Sequence, residues 1–519
     1  MKVGKSSSGR HNFSTWGLPA LSGVLMALSL PPLPLGWLAW VGLIPLFRCL
    51  ELRNYRGAFG LGYRAGLFYF LGSLYWILLN SGAPPVLRIL SMVGVLLILP
   101  LGWGISAWAI SRVRLRFGWV GWLAAPFIWT TAEMLFSIGE SGFPWAIIAL
   151  SQSRYVGLIQ LVEVTGVHGI TFWVVGLNAL GMIVWQGCHT KSQRAGVLLV
   201  IALWFLLPLS WGRHQLRKLP PPAGTVKVGL VQGDVPAESK WVKGVEYNLS
   251  CYEKLTDSLV TQKTADSLQL IVWTETAIPT YLEKRWQHRR LVHEFVDSIS
   301  VPLITGASDY QLTGSGDVQT YNAAFLFTPG NSELQGYHKI HPVPFGERIP
   351  FQRFLPFLGS FRLGQAEFTP GTEYTVFSLP DNSGECSVLI CFESIFSDVT
   401  RKFVRNGAEF LVNITNDGWF GRCSEPYQHL ELTRFRAIET RRWVVRAANT
   451  GVSAFINAEG NLVNLLPLNH RGTLAETVEL RHDQTFFLRH GNWFPIMCCG
   501  VSLVLILALE ITKKRVVRR

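Results

Sequence analysis

Charged residues are what this chain has least of. Asp, Glu, Lys and Arg make up 16% of its 519 residues, where soluble globular chains carry roughly 25%, and the mean hydropathy is +0.26. That shortage excludes an ordinary cytosolic protein. It is also uneven: charge is scarce over the first two hundred residues and plentiful over the next three hundred, so two physically different parts are expected. Metal signatures are missing too. There is no Cys-x-x-Cys and no His-Glu-x-x-His, and His338 and His341 around Lys339 are too sparse for a zinc site, so neither metal nor cofactor is expected. The eight cysteines, at 49, 188, 251, 386, 391, 423, 498 and 499, do not read as a disulfide framework, because a chain this long builds a core without staples. Cys386 and Cys391 are five apart on an apparent strand, which predicts side chains on opposite faces. Internal repeats and low-complexity segments are absent, which excludes a repeat solenoid.

Base is present in excess, with 47 Lys+Arg against 34 Asp+Glu for a net charge of +13. In a soluble chain that balance suggests nucleic acid, but here much of the base borders apolar runs, so a membrane is the expected partner and nucleic acid is not. Spanning a hydrocarbon core takes roughly 20 apolar residues. Runs occur near 16–31, 36–50, 58–80, 86–111, 118–137, 163–187, 194–212 and 492–512. The first two, flanked by Pro31, Pro32 and Pro34, either span or form a re-entrant hairpin, and the parity is the same. Five basic clusters fall on one side: Lys2/Lys5/Arg10, Arg48/Arg53/Arg56, Arg112/Arg114/Arg116, Lys191/Arg194, and five of the last seven residues. By the positive-inside rule both termini are cytoplasmic and 213–490 is extracytoplasmic. The expected domains are a seven-span membrane part over 1–212, a linker over 213–224 containing Pro220, Pro221 and Pro222, a layered domain over 225–490, and a last span with a basic cytoplasmic tail over 491–519.

From 225 the pattern changes to strand-like runs alternating with amphipathic helical ones, which reads as a layered α/β domain. Three reactive groups follow predicted strands: Glu275 after LQLIVWT, Lys339 after LQGYH, and Cys391 at the end of CSVLI before a helix. Strand C-termini in open α/β sheets are where ligand crevices form. Singly, each residue also fits a bland role as cap, solvated charge or buried small hydrophobe. Jointly they fit covalent catalysis. A thiolate is a nucleophile whose pKa a helix N-terminus and an ammonium lower; a carboxylate takes the thiol proton and returns it to a leaving group; a lysine stabilises the oxyanion.

Four segments carry a resemblance: WTETAIP (273–279), GYHKIHPVPFGERIP (336–350), LICFES (389–394) and NDGWF (416–420). They resemble the nitrilase-like carbon–nitrogen hydrolase superfamily, and the multi-span frame is similar to its membrane branch, the bacterial apolipoprotein N-acyltransferases. The resemblance implies an α-β-β-α sandwich facing the periplasm, joined to a multi-pass domain in the bacterial cytoplasmic (inner) membrane and acting as a monomer. It implies Glu275 as general base, Lys339 as oxyanion stabiliser and Cys391 as nucleophile, with Glu347 supporting the lysine and Trp241 and Glu393 shaping the site. Members often have Tyr directly after the cysteine; this chain has Phe392. The implied reaction moves a fatty acyl chain from a glycerophospholipid through a cysteine thioester to the α-amine of a diacylglyceryl-apolipoprotein. A membrane-anchored amidase, and a transporter or receptor whose second domain only binds ligand, remain the alternative readings of the residues alone.

Two features bear on access. Phe351, Phe354, Leu355, Phe357, Leu358 and Phe361 in the stretch 349–364 are expected to form a lipid-facing loop rather than local core. Arg64, Arg88, Glu133, Glu163 and His168 fall in or near the apolar runs, and most lie close to run ends, which favours interfacial bonding over a transport relay.

Overall fold

The computed structural model describes residues 13–52, 55–188, 190–261, 268–314, 316–352, 354 and 367–517. The chain divides into two compact units, one built from Met1–Leu78, Ile89–Lys218 and Asn492–Arg519, the other from Leu79–Arg88 and Leu219–Gly491.

The first unit is a helical membrane domain. Its helices begin where proline sits in a first turn, as in Leu18–Leu28, Pro100–Phe117 and Ala125–Phe136, because the missing N–H there has no intrahelical partner to lose. The run expected as one span over 86–111 is divided at Leu99 into Pro85–Ile98 and Pro100–Phe117. The run at 36–50 is likewise a short 3-10 turn, Gly36–Trp40, followed by a helix, Ile44–Leu52. Among the described residues, three helical stretches are long and apolar enough to cross a bilayer by length and composition: Pro85–Phe136, His168–Gly187 and Lys191–Lys218. Shorter apolar helices occur at Thr15–Leu28, Val156–Thr165 and Trp493–Leu509. Glu133 is fully engaged: its carboxylate accepts the Ile148 N–H at 2.9 Å and the Thr171 hydroxyl at 2.6 Å, tying Ala125–Phe136 to His168–Gly187. Arg64 lies over the Trp16 ring at 4.6 Å.

Among the described residues the second unit has thirteen strands, in chain order β1 Gly224–Gln232, β2 Leu270–Val272, β3 Ile278–Tyr281, β4 Leu303–Leu312, β5 Val318–Thr328, β6 Asn331–His338, β7 Phe377–Ser378, β8 Glu385–Ile390, β9 Phe410–Thr415, β10 Val444–Ala448, β11 Ser453–Ile456, β12 Leu462–Leu466 and β13 Gly472–Leu480. They form two sheets. One runs β13-β1-β2-β4-β5-β6 with β3 also pairing β4; the other runs β12-β11-β10-β9-β8-β7. The first is covered by the helices Gly244–Val260 and Trp286–Ile299, whose Leu249, Tyr252, Val292 and Val296 bury against Ile271, Trp273, Leu303 and Phe325. The second is covered by Ser397–Arg405 and Glu425–Thr440, and β1 faces β10 across the sandwich. This is the α-β-β-α layering expected above. β1, β2 and β4 run parallel, as do β8, β9 and β10. Their central strands read as near-continuous apolar runs because helices cover one face and the partner sheet the other.

Candidate active site

Glu275, Lys339 and Cys391 come together beyond the C-terminal ends of β2, β6 and β8. Glu275 is buried in a tight turn whose next residue, Thr276, has φ +47°. The turn closes against β4 because position 306 is glycine; a Cβ there would stand 2.8 Å from the Glu275 Cα and 2.6 Å from the Thr276 nitrogen. Asn322 on β5 donates from Nδ2 to Glu275 Oε1 at 2.8 Å and to Glu347 Oε1 at 3.2 Å. Lys339 continues from β6, its N–H held by the Asn322 carbonyl at 2.9 Å. Its ammonium rests on both oxygens of Glu347, at 2.9 and 2.8 Å, and 3.8 Å from Glu275. Glu347 is itself fixed by the Val343 N–H at 2.7 Å.

Cys391 lies one residue past β8 with φ +52°, a left-handed conformation uncommon for a side chain of any size. The alternation that predicted opposite faces for Cys386 and Cys391 therefore stops short of Cys391: Cys386 is buried within β8, and Cys391 belongs to the turn. Glu393 holds that turn. Its Oε2 accepts the Ile390 N–H at 2.8 Å, while Oε1 accepts the Tyr337 hydroxyl at 2.7 Å and the N–H groups of Ile340 and His341 at 2.7 and 3.1 Å. One buried carboxylate thus ties the cysteine turn to the segment that carries Lys339.

The electrostatics follow from burial. Desolvation pushes the Cys391 thiol well above its ordinary value, Glu275 adds to the rise, and Lys339 opposes it. Desolvation also raises Glu275, with Lys339 lowering it and Glu347 raising it. Burial alone would lower Lys339, but Glu347 and Glu275 outweigh burial and hold it charged. Glu393 is pushed up to about 7 by burial. Burial thus favours the neutral thiol and raises the proton affinity of Glu275, while the two carboxylates favour the charged form of Lys339.

The remaining expected residues are scattered. Phe392 is buried edge-on to Phe396, with ring centroids 5.1 Å apart. Trp241 is 54% exposed, whereas its neighbour Lys240 is buried with Nζ 3.2 Å from the Glu275 carbonyl, lowered to about 8 by burial. Phe351 and Phe354 are exposed, and Leu355, Phe357, Leu358 and Phe361 lie outside the described residues.

Sequence reasoning missed Lys240, Asn322, Thr415, Asp417, His429 and Arg446. The last four form a buried chain on the far side of Cys391. Asp417 Oδ1 accepts from Thr415 Oγ1 at 2.8 Å and from His429 Nδ1 at 3.0 Å, and Oδ2 accepts from Arg446 Nη2 at 2.7 Å. Gly451 admits the carboxylate, since a Cβ there would stand 2.2 Å from Oδ2. The Cys391 sulfur, an Asp417 oxygen and a His429 nitrogen lie within 4.8 Å of one another, a spacing that suits a metal ion, but Arg446 already supplies the positive charge on Asp417. Only the strand-end position of NDGWF pointed toward this group.

Known proteins are similar over both parts. A family described as the apolipoprotein N-acyltransferase N-terminal domain matches residues 22–180, and carbon–nitrogen hydrolase matches residues 227–482. An apolipoprotein N-acyltransferase of Geobacter metallireducens is 33% identical over 95% of each chain. One from Chlorobaculum tepidum is 32% identical over 96% of this chain and 97% of its own. Among solved structures, a nitrilase-superfamily member from Saccharomyces cerevisiae aligns with 50% of this chain and 91% of its own, at 16% identity and a TM-score of 0.38.

Proposed function

This chain belongs to the apolipoprotein N-acyltransferase family, and on that premise we propose that it transfers a fatty acyl chain from a glycerophospholipid to the α-amine of a diacylglyceryl-cysteine at a lipoprotein N-terminus, with Cys391, Glu275 and Lys339 as nucleophile, general base and oxyanion stabiliser. The observation that carries the reading is a Lys339 ammonium held by Glu347 and left 3.8 Å from Glu275, so that charge and base sit side by side without neutralising each other by a direct hydrogen bond.

Glu275 takes the Cys391 proton as sulfur attacks the ester carbonyl carbon. The oxyanion is stabilised by the Lys339 ammonium and the backbone N–H at 392. Collapse breaks the ester C–O bond, and the glyceryl oxygen receives the proton from Glu275, leaving a thioester and a lysophospholipid. A neutral α-amine then attacks the thioester, Glu275 takes its proton, the C–S bond breaks, and the proton returns to sulfur. No cofactor enters this sequence. Glu347 anchors Lys339, Glu393 holds the cysteine turn that Phe392 continues, and Trp241, exposed on the helix Ala237–Val242, is assigned to shaping the site.

We place the membrane domain in the bacterial cytoplasmic membrane as seven spans before the catalytic unit and one after, with the site on the periplasmic side and the protein working as a monomer. The five basic clusters support that orientation. Reporter fusions at 190 and 300 will score on opposite sides; the same side for both would overturn it.

Purified protein incubated with phospholipid and a diacylglyceryl-cysteinyl peptide is the test of function. The reading predicts lysophospholipid and N-acylated peptide in equal amounts, and no product from a peptide with a blocked α-amine. Free fatty acid in place of N-acyl peptide would make the protein a hydrolase, and turnover retained in Cys391→Ala would remove the thioester.

A further inference from the structure

We propose that Thr415 is a further catalytic residue, its hydroxyl turning from the Asp417 carboxylate to the Cys391 sulfur as thiol becomes thiolate, with Asp417, His429 and Arg446 as positioning residues. This inference rests on the proposed role of Cys391 as nucleophile.

Strand register places the two residues together. β8 and β9 are parallel with Ile390 opposite Ile414, so Cys391 and Thr415 leave adjacent strands side by side. Thr415 is fully buried; its hydroxyl donates to Asp417 Oδ1 at 2.8 Å and lies near enough to the Cys391 sulfur to lower the thiol. A hydroxyl has one proton to donate. While sulfur is protonated, the thiol donates to Thr415 and Thr415 donates to Asp417. Once Glu275 has taken the thiol proton, sulfur can only accept, and the hydroxyl serves it by rotating about its C–O bond. No covalent bond changes and no proton leaves Thr415.

The surroundings make that rotation cheap and useful. When Thr415 turns away, Asp417 Oδ1 keeps the His429 Nδ1–H and Oδ2 keeps Arg446, so no buried acceptor is stranded. Burial and Arg446 hold His429 below its ordinary range while Asp417 opposes them, and beside its Nδ1 contact to Asp417 the ring places Nε2 2.9 Å from Ser394 Oγ and 3.1 Å from the Cys391 carbonyl oxygen. Glu425, 3.8 Å from the His429 ring, is raised by burial and by Asp417. Asp417 is an anion within 4.8 Å of the sulfur and opposes a thiolate there. A donor set between the two anions offsets that repulsion.

The experiment compares Thr415→Val, which keeps the shape without the hydroxyl, with Thr415→Ser, which keeps the hydroxyl, in the full-length protein. The readout is the rate of Cys391 alkylation by iodoacetamide against pH, followed by mass spectrometry of the Cys391 peptide. Glu275, Lys339, Asp417 and His429 are the charged or titratable groups around the sulfur, and all four are unchanged in both variants. The expected result is a Val variant alkylated about tenfold more slowly near neutral pH, with its profile displaced to higher pH, and a Ser variant within about threefold of the parent. A Val profile that superposes on the parent, or Ser and Val displaced equally, would overturn the proposal. Should Val unfold, Thr415→Ala gives the same comparison with Ser. If the parent forms no acyl adduct from phospholipid while Val and Ser still separate, the role of Thr415 stands and the acyl-transfer reading fails.

Discussion

The ammonium of Lys339 lies 3.8 Å from Oε1 of Glu275, close enough to act on its charge and too far to occupy it with a hydrogen bond. Glu347 sets this spacing by holding the ammonium on both of its own oxygens. In Glu347→Gln the neutral side chain releases the lysine toward Glu275, and the Coulombic push of Glu347 on Glu275 is lost. Both changes weaken the base. The variant is expected to show a lower maximal rate of acyl loading, by about a hundredfold, with its acidic limb moved to lower pH. An acidic limb that moves upward would contradict this.

Lys240 is the counterpart with opposite sign. Its ammonium lowers the proton affinity of Glu275 from the other side, and burial brings Lys240 itself down to about 8. Removing it in Lys240→Met raises Glu275, so the acidic limb moves up and the rate near pH 6 falls about three- to tenfold. Well above pH 8 the parent lysine is neutral too, and the two rates converge. A deficit that persists unchanged at high pH would assign Lys240 to packing alone.

Arg446 and Asp417 are both fully buried. Burial would raise Asp417, but Arg446 and His429 outweigh it and hold the carboxyl far below its ordinary range. This pair contributes stability above the unfolded carboxylate range and loses it only as pH falls through the lower folded value. Arg446→Met leaves a buried anion unpaired and is expected to cost about 3–5 kcal/mol. The deficit narrows toward pH 5, because the unpaired carboxyl now binds a proton more readily folded than unfolded. Thermal unfolding in detergent at two pH values measures it; a deficit that grows on acidification would contradict the assignment.

Phe351 and Phe354 are 44% and 73% exposed, so replacing both with Ser is expected to leave the melting temperature nearly unchanged. If they enter the bilayer interface, each contributes roughly 1.5–3 kcal/mol of partitioning, and loading from vesicles slows far more than reaction with a short-chain soluble ester. Equal loss on both substrates would remove the segment from lipid access.

The strands that carry Glu275 and Cys391 were legible because each is an apolar run ending at a polar residue, whereas β6, before Lys339, is mostly polar and exposed. The amphipathic helical runs expected after residue 225 are found as the helices Gly244–Val260, Trp286–Ile299, Ser397–Arg405 and Glu425–Thr440. What was not legible depends on register and on turns. Thr415 meets Cys391 because β8 pairs β9 in one alignment and no other, and a one-residue slip would reverse its face. Arg446 sits in VVRAAN, where a lone arginine in an apolar strand gives no sign of its partner 29 residues earlier. β13, GTLAETVEL, alternates too weakly to read as a strand and is set by pairing with β1 along its full length. In the membrane domain, Pro100 divides a run that hydropathy alone reads as continuous.

The most direct measurement is the intact mass of purified protein after incubation with a phospholipid of defined acyl chains and no acceptor. A covalent thioester predicts a mass gain of one acyl group, lost with hydroxylamine, mapped to Cys391 and matched by an equal quantity of lysophospholipid. An unmodified protein, or an acyl group on any other residue, would contradict it.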